Sequence, residues 1–243
     1  MPGFKNDDQR IIKNAVLSVR IFHPVMLFAF VLFTVSCNTN SNPLSHTDEI
    51  KTIQMGEQVW AATNLSVATF SNGDSIPQIR SAKEWEIAGK EQRPGWCYYD
   101  NDSTTAKTYG RLYNWFAVKD PKGLCPVGWH VPTNDEWTAL EDYLGVPVAG
   151  LRLKCDTGWK NNGNGDNSNG FCLMPGGYRG RDGRFTGAGE FLYLTSSSEG
   201  RPEDPKDNKM CVWGRGIQFE NKDAMRCLLD KEFGLYVRCI KNN

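Results

Sequence analysis

The sequence predicts an α+β domain with few helices, many short strands and long loops. Three observations carry that expectation. Only two helix starts are strongly marked, short apolar runs recur between turn clusters, and glycine supplies 24 of 243 residues. Composition narrows the function classes. With 28 basic and 28 acidic residues the formal charge is zero, which argues against a protein that tracks a phosphate backbone, so no nucleic-acid partner is expected. A mean hydropathy of -0.50 excludes a multi-pass membrane protein. Eight cysteines point to an oxidising compartment.

The first 37 residues read as a targeting unit. Lys5, Arg10, Lys13 and Arg20 form a basic n-region, and Val25 to Val35 is an uncharged run of 11 residues. A spanning helix needs about 20 residues, so the run fits a signal-peptide h-region instead. It ends in Thr34-Val35-Ser36-Cys37, which resembles a bacterial lipobox with Thr34 where leucine is usual. The expectation is a lipoprotein signal peptide over residues 1–36 and an acylated Cys37, carrying palmitate-type chains, as the mature N-terminus. An ordinary secretory signal is the alternative. Cleavage leaves 207 residues. Four basic and two acidic residues depart with the leader, leaving 24 against 26 and a net charge of -2. Residues 37–51 are polar, with Pro43, and read as a flexible tether to an outer-membrane lipid anchor, on the periplasmic face or the cell surface.

Residues 52–243 read as one domain. Thr52 to Gln54 and Gln58 to Ala61 look like an opening hairpin. Ser81-Ala82-Lys83-Glu84 is a capping signal for a short helix with Trp85 and Ala88 inward. A further helix is expected around Tyr109 to Val118. Thr133-Asn134-Asp135-Glu136 is a capping box, followed by Trp137, Leu140 and Leu144 on one face and Gly145 as the stop. Trp96 to Tyr99, Leu151 to Leu153, Phe171 to Met174 and Phe191 to Thr195 read as short strands. Gly176, Gly177 and Gly180 read as turns. Cys211 to Phe219 and Ala224 to Leu229 form a late hairpin, and Gly234 to Ile240 a closing strand.

Several phrases match a family. They are Trp96-Cys97-Tyr98-Tyr99-Asp100-Asn101-Asp102, Tyr109-Gly110-Arg111-Leu112-Tyr113-Asn114-Trp115, and Cys125-Pro126-Val127-Gly128-Trp129-His130-Val131-Pro132 followed by Asp135-Glu136-Trp137. Pro175-Gly176-Gly177-Tyr178-Arg179 and Gly234-Leu235-Tyr236-Val237-Arg238-Cys239 complete the set. In order over residues 52 to 241, they resemble the Fibrobacter succinogenes major paralogous domain, found mostly in secreted proteins and lipoproteins of Bacteroidetes and Fibrobacteres. The resemblance implies a C-type-lectin-like fold, similar to formylglycine-generating-type domains, with small antiparallel sheets, two to three helices and disulfide bracing. It implies no established activity. It also implies a Cys125–Cys239 disulfide. Cys155 and Cys172 depart from the family pattern, flank one loop, and are expected to pair. Cys211 and Cys227, on opposing arms of the late hairpin, are a third candidate pair. Cys97 is left over and reads as a buried small hydrophobe. Seven thiols permit many pairings, among which sequence does not choose.

No enzyme is expected, and no cofactor or metal. Cys–His nucleophilic catalysis would need a base at hydrogen-bond reach, and the one domain histidine, His130, sits just before a helix cap, where bonding to backbone and packing are expected. Zinc spacing, a phosphate loop and the late paired-cysteine motif of formylglycine-generating oxidases are all missing from the sequence. The Glu-Pro-Asn or Gln-Pro-Asp loop of calcium-dependent lectins is likewise missing. Asn161, Asn164, Asp166 and Asn169 offer oxygens that calcium accepts, and equally make a Gly/Asn turn region. Trp115, Trp129 and Trp137 are expected in the core. Trp159 and Trp213 are the candidates for exposure, where an indole beside amides can stack a sugar or anchor a protein. The expected ligand face combines Trp159, Asn161 to Asn169, the charged loop Glu199 to Lys209 and Trp213. The leading functional expectation is a lipid-anchored envelope protein binding carbohydrate or protein through loops. A structural or assembly component of a surface adhesin or fimbrial complex is the alternative, and an oxidase or hydrolase on the same fold comes third.

Overall fold

The computed structural model describes residues 50–201 and 211–243. The expected signal peptide, Cys37, most of the tether, and residues 202–210 of the charged loop lie outside the described residues. The last two tether residues are part of the fold: Ile50 packs against the core, and the Lys51 carbonyl accepts from the Ala62 amide.

In chain order the strands are β1 (Thr52–Met55), β2 (Gln58–Ala61), β3 (Trp96–Cys97), β4 (Leu112–Tyr113), β5 (Trp129–His130), β6 (Gly176–Arg179), β7 (Phe185–Ala188), β8 (Phe191–Gly200), β9 (Cys211–Gln218), β10 (Met225–Asp230) and β11 (Ile240–Lys241). The helices are α1 (Ala82–Lys90), α2 (Ala106–Tyr109), α3 (Trp115–Val118), α4 (Asn134–Leu144) and α5 (Ala149–Leu153). Strands β1-β2-β11-β5 form one sheet, β10-β9-β8-β6-β7 a second, and β3-β4 a two-stranded ladder. The result is a mixed α and β architecture of small sheets and few helices. Pairing is antiparallel except between β6 and β8.

The marked helices form for the reasons visible in the sequence. The Thr133 hydroxyl accepts from the Glu136 amide while the Glu136 carboxylate accepts from the Thr133 amide, closing the capping box at α4. Gly145, at φ 84°, ends that helix in a backbone region closed to most side chains. At α1, Ser81 accepts from the Glu84 amide. Trp85 and Ala88 face inward, as do Trp137, Leu140 and Leu144 of α4.

Tertiary contacts overrule five local readings. The expected helix over Tyr109 to Val118 is split into α2, β4 and α3, because Leu112 and Tyr113 pair with Cys97 and Trp96 and the Asn114 side chain caps a new start at Trp115 by accepting from the Ala117 amide. Leu151 to Leu153 is helical, not extended: α5 lies under the β9–β10 turn, where the Leu151 amide donates to the Lys222 carbonyl. Gly176 to Arg179 is strand β6, not a turn. The segments Phe171 to Met174 and Gly234 to Tyr236 cross the interior through isolated bridges, Lys154↔Leu173, Arg179↔Gly234, Tyr113↔Leu235 and Leu194↔Tyr236. Inside, Trp60 meets Trp137 at 4.7 Å and Phe171 at 5.7 Å between ring centroids. Trp115 and Trp137 are buried, and Trp129 is half-buried.

Two disulfides are present, Cys125–Cys239 and Cys155–Cys172. Cys211 and Cys227 do not form the expected third. Register explains it: Cys211 lies opposite Asp230 and Cys227 opposite Gly214, three positions along the ladder and on opposite sheet faces. That is about 10 Å at strand rise, beyond disulfide reach. Cys97 is fully buried, and burial pushes its thiol up to about 12 against the opposing pull of Arg179.

Five cations are buried among the described residues, Lys154, Arg179, Arg215, Lys231 and Arg238. Arg179 donates to the carbonyls of Gly183, Ile79 and Arg80. Arg238 donates to the carbonyls of Ala61 and Phe171 and to Asn64 Oδ1. Lys154 Nζ donates to the carbonyls of Gln218, Phe219 and Asn221. Arg215 meets the carboxylate of Glu141, and Lys231 that of Glu199 at 3.2 Å. Chain that belongs to no long element carries carbonyls without ladder partners, and these cations supply the missing donors.

Two outcomes are expected. Replacing Cys125 and Cys239 by serine reopens a span of 114 residues and should cost about 4–5 kcal/mol in the chain-entropy description, read from urea midpoints. Arg238→Met leaves three acceptors without donors and should cost about 2–3 kcal/mol, near one per acceptor; an unchanged midpoint would remove Arg238 from the stabilising set.

Candidate functional site

The structure disperses the expected ligand face. Trp159 is not exposed: only 4 % of it is accessible, and its indole N–H donates to the Leu173 carbonyl at 3.1 Å. The loop over 161–169 folds down on the scaffold. A Cβ on Gly163 would sit 2.2 Å from the Phe219 carbonyl oxygen, and one on Gly165 would sit 2.3 Å from that of Lys154, so only glycine allows this approach. The loop's polar groups are used locally. Asn164 Oδ1 accepts from the Trp159 amide at 3.0 Å, Asn169 Oδ1 from the Phe171 amide at 2.9 Å, and Asp166 from the amide and hydroxyl of Ser168. The bond from the Ser168 amide leads in holding the Asp166 carboxyl below its usual range. Asn161 is exposed at φ 51°. Among the described residues no three His, Cys, Asp or Glu side chains gather to hold a metal ion.

Trp213 is elsewhere. It lies on β9 six residues from Phe219, roughly 20 Å along the strand from the loop's contact. Arg226 covers its ring, with the guanidinium carbon 3.8 Å from the centroid. Arg226 Nε donates to Asn134 Oδ1 at 3.0 Å, and Arg215 Nη1 donates to the same oxygen at 3.2 Å. Arg215 is buried and also contacts the Thr138 hydroxyl and the Glu141 carboxylate. Burial leads in raising the Glu141 carboxyl, against the opposing pull of Arg215. Sequence reading missed this cluster. Its one signal was alternation: Cys211, Trp213, Arg215 and Ile217 share a sheet face, and arginine on an inward face needs acceptors from whatever packs above it, here α4.

The concave surface lies on the other side of the β8 bulge between Thr195 and Glu199. A groove of about 480 Å³ is lined by Trp129, His130, Asp120, Ser71, Ser197 and the Cys125 disulfide arm. A smaller lobe of about 230 Å³ adjoins it beside Phe70 and Val67, sharing Ser71, Leu124, Pro126 and Val127. Val127 stands 87 % exposed between them. Another depression of about 590 Å³ lies between Gly56 and the exposed Tyr143. At the Trp129 groove, both ring nitrogens of His130 meet side chains, in place of the expected backbone: Nε2 is 2.9 Å from Glu136 Oε1 and Nδ1 is 2.7 Å from Asn242 Oδ1. Burial pushes the Glu136 carboxyl up, but the Thr133 amide, His130 and the Thr133 hydroxyl together hold it below its usual range.

Small sheets, few helices and two disulfides, with concavities built on loops, define a cystine-braced mixed α and β domain. A family model described as the Fibrobacter succinogenes major domain matches residues 53–241, and the chain belongs to that family. No curated protein and no solved structure gives a significant match.

The Glu136 geometry fixes a pH sign. A carboxyl lowered by folding adds stability above its unfolded pKa, near 4, and loses it as pH falls through the folded value. The stability gap between the protein and Glu136→Gln should therefore be full at pH 6 and shrink below about pH 4, measured by urea unfolding. A gap independent of pH would refute it.

Proposed function

We propose that the chain is a lipid-anchored protein of the outer membrane, on its periplasmic face or at the cell surface. Its C-type-lectin-like domain holds a carbohydrate or protein ligand through loops and performs no chemistry. The observation that carries this reading is the loop-built groove at Trp129. A half-buried indole faces hydroxyl, carboxylate and imidazole groups in a concavity of about 480 Å³, the size and mixture that small-ligand sites use. The lectin-type architecture draws support from the first and last strands sharing a sheet, β2 beside β11, and from long irregular segments braced by cystine. The lipid anchor rests on the Thr34–Cys37 sequence.

The assembly reading draws on the exposed apolar Val127 and on β10 as an outer strand of its sheet. A glycan array, run with and without calcium, separates the two. A bound glycan whose signal falls at least tenfold in Trp129→Ala, with the thermal midpoint retained, supports the ligand site. A blank array together with co-purified envelope proteins selects assembly.

A further inference from the structure

The Arg226 guanidinium is held as a recognition fork. Its guanidinium carbon lies over the Trp213 ring, 3.8 Å from the centroid, and its Nε is fixed by Asn134 Oδ1. Nη1 and Nη2 make no hydrogen bond among the described residues, and the side chain is exposed. No carboxylate among the described residues lies within ion-pair distance of it, whereas the Arg215 beside it has Glu141. Two guanidinium groups thus converge on one amide oxygen with a single carboxylate between them. This leaves the outer N–H pair of Arg226 open and facing outward among the described residues. A free arginine on a strand would spread over many rotamers. This one has lost that freedom before any ligand arrives, which lowers the entropic cost of binding.

A guanidinium with two parallel N–H groups open matches the two oxygens of a carboxylate. The neighbouring surface is able to bond hydroxyls: the Ser198 hydroxyl accepts from the Asn134 amide and keeps its own proton to donate, and the Asp135 carboxylate, which accepts from Asn134 Nδ2 at 3.2 Å, is among the described residues the one acidic group bonded to this cluster from the exposed side. Ser197, the next residue, lines the Trp129 groove, so the fork and the groove flank one bulge. We propose that Arg226, stacked on Trp213, is the carboxylate subsite for a uronic-acid residue of an acidic polysaccharide. The proposal rests on the carbohydrate reading above and adds to it the ligand's charge and the residue that reads it.

The test uses the full chain in affinity electrophoresis through gels containing polygalacturonate, its fully methyl-esterified form, or polyglutamate. Retardation by polygalacturonate, at least tenfold weaker with the methyl ester and with polyglutamate, is expected. Arg226→Lys keeps the charge but not the fork and should lose at least tenfold of that retardation at an unchanged thermal midpoint. Equal retardation by the methyl ester, or full binding by Arg226→Lys, overturns the proposal while leaving a neutral-sugar site at Trp129 standing. Equal retardation by polyglutamate overturns it in favour of an acidic protein segment. No retardation by polygalacturonate overturns it too, and only a blank glycan array would also remove the carbohydrate reading.

Discussion

Most of this domain's interior is crossed by chain that belongs to no long strand or helix, and every carbonyl on such chain needs a donor. Lys154, Arg179 and Arg238 meet that need by turning into the core and donating to backbone oxygens, two or three each. A neutral donor would bring fewer N–H groups to each point. A guanidinium brings five in a fixed plane, so one side chain ties together segments distant in sequence: Arg238 links Ala61 to Phe171, and Arg179 links Gly183 to Ile79. The cost is desolvation of a charge, which burial registers as a lowered pKa at Lys154 and Arg238. Aromatic faces offset part of it: Arg179 lies 4.5 Å from Trp85, and Arg238 lies 4.6 Å from Phe171.

That constraint gives the family phrases a physical meaning. Arg179 ends one phrase and Arg238 stands near the end of another. Trp115, Asn114 and Tyr113 belong to a third, and Cys125 and Cys239 close the chain across 114 positions. These residues brace irregular backbone. The side chains at the Arg226 cluster, Trp213 and Arg226, lie outside the phrases, whereas the groove mixes the two: Ser71, Asp120 and Ser197 lie outside, and Cys125 to Val127 with Trp129 to Val131 lie inside. A scaffold kept by its braces can change the surfaces between them at little cost in stability.

How much could be read in advance followed the range of the interactions. The α4 capping box, its Gly145 stop and the hairpin arms rest on contacts a few residues apart, and the sequence displays them. Where a segment takes its shape from a distant partner, local pattern misleads. Leu151 to Leu153 is apolar and short like a strand, yet is helical because it docks on the β9–β10 turn. Trp159 sits beside a polar Asn/Gly run and so reads as exposed, yet glycines at 163 and 165 let that run fold down onto the scaffold beside it. Cys211 and Cys227 face each other in sequence as hairpin arms, and a three-position register offset separates them. The Arg226 cluster needs β9, β10 and α4 assembled before it exists.

The sheet order β1-β2-β11-β5 places the first and last strands in one sheet, with only β2 between them. Chain that leaves such a body departs from the place where it came in. A unit built this way can be spliced into a surface turn of a host protein, or repeated along a polypeptide, without stretching either flank. Such a splice would bring the host's own surface close to the Trp129 groove, because β11 pairs with β5 and Asn242 bonds His130.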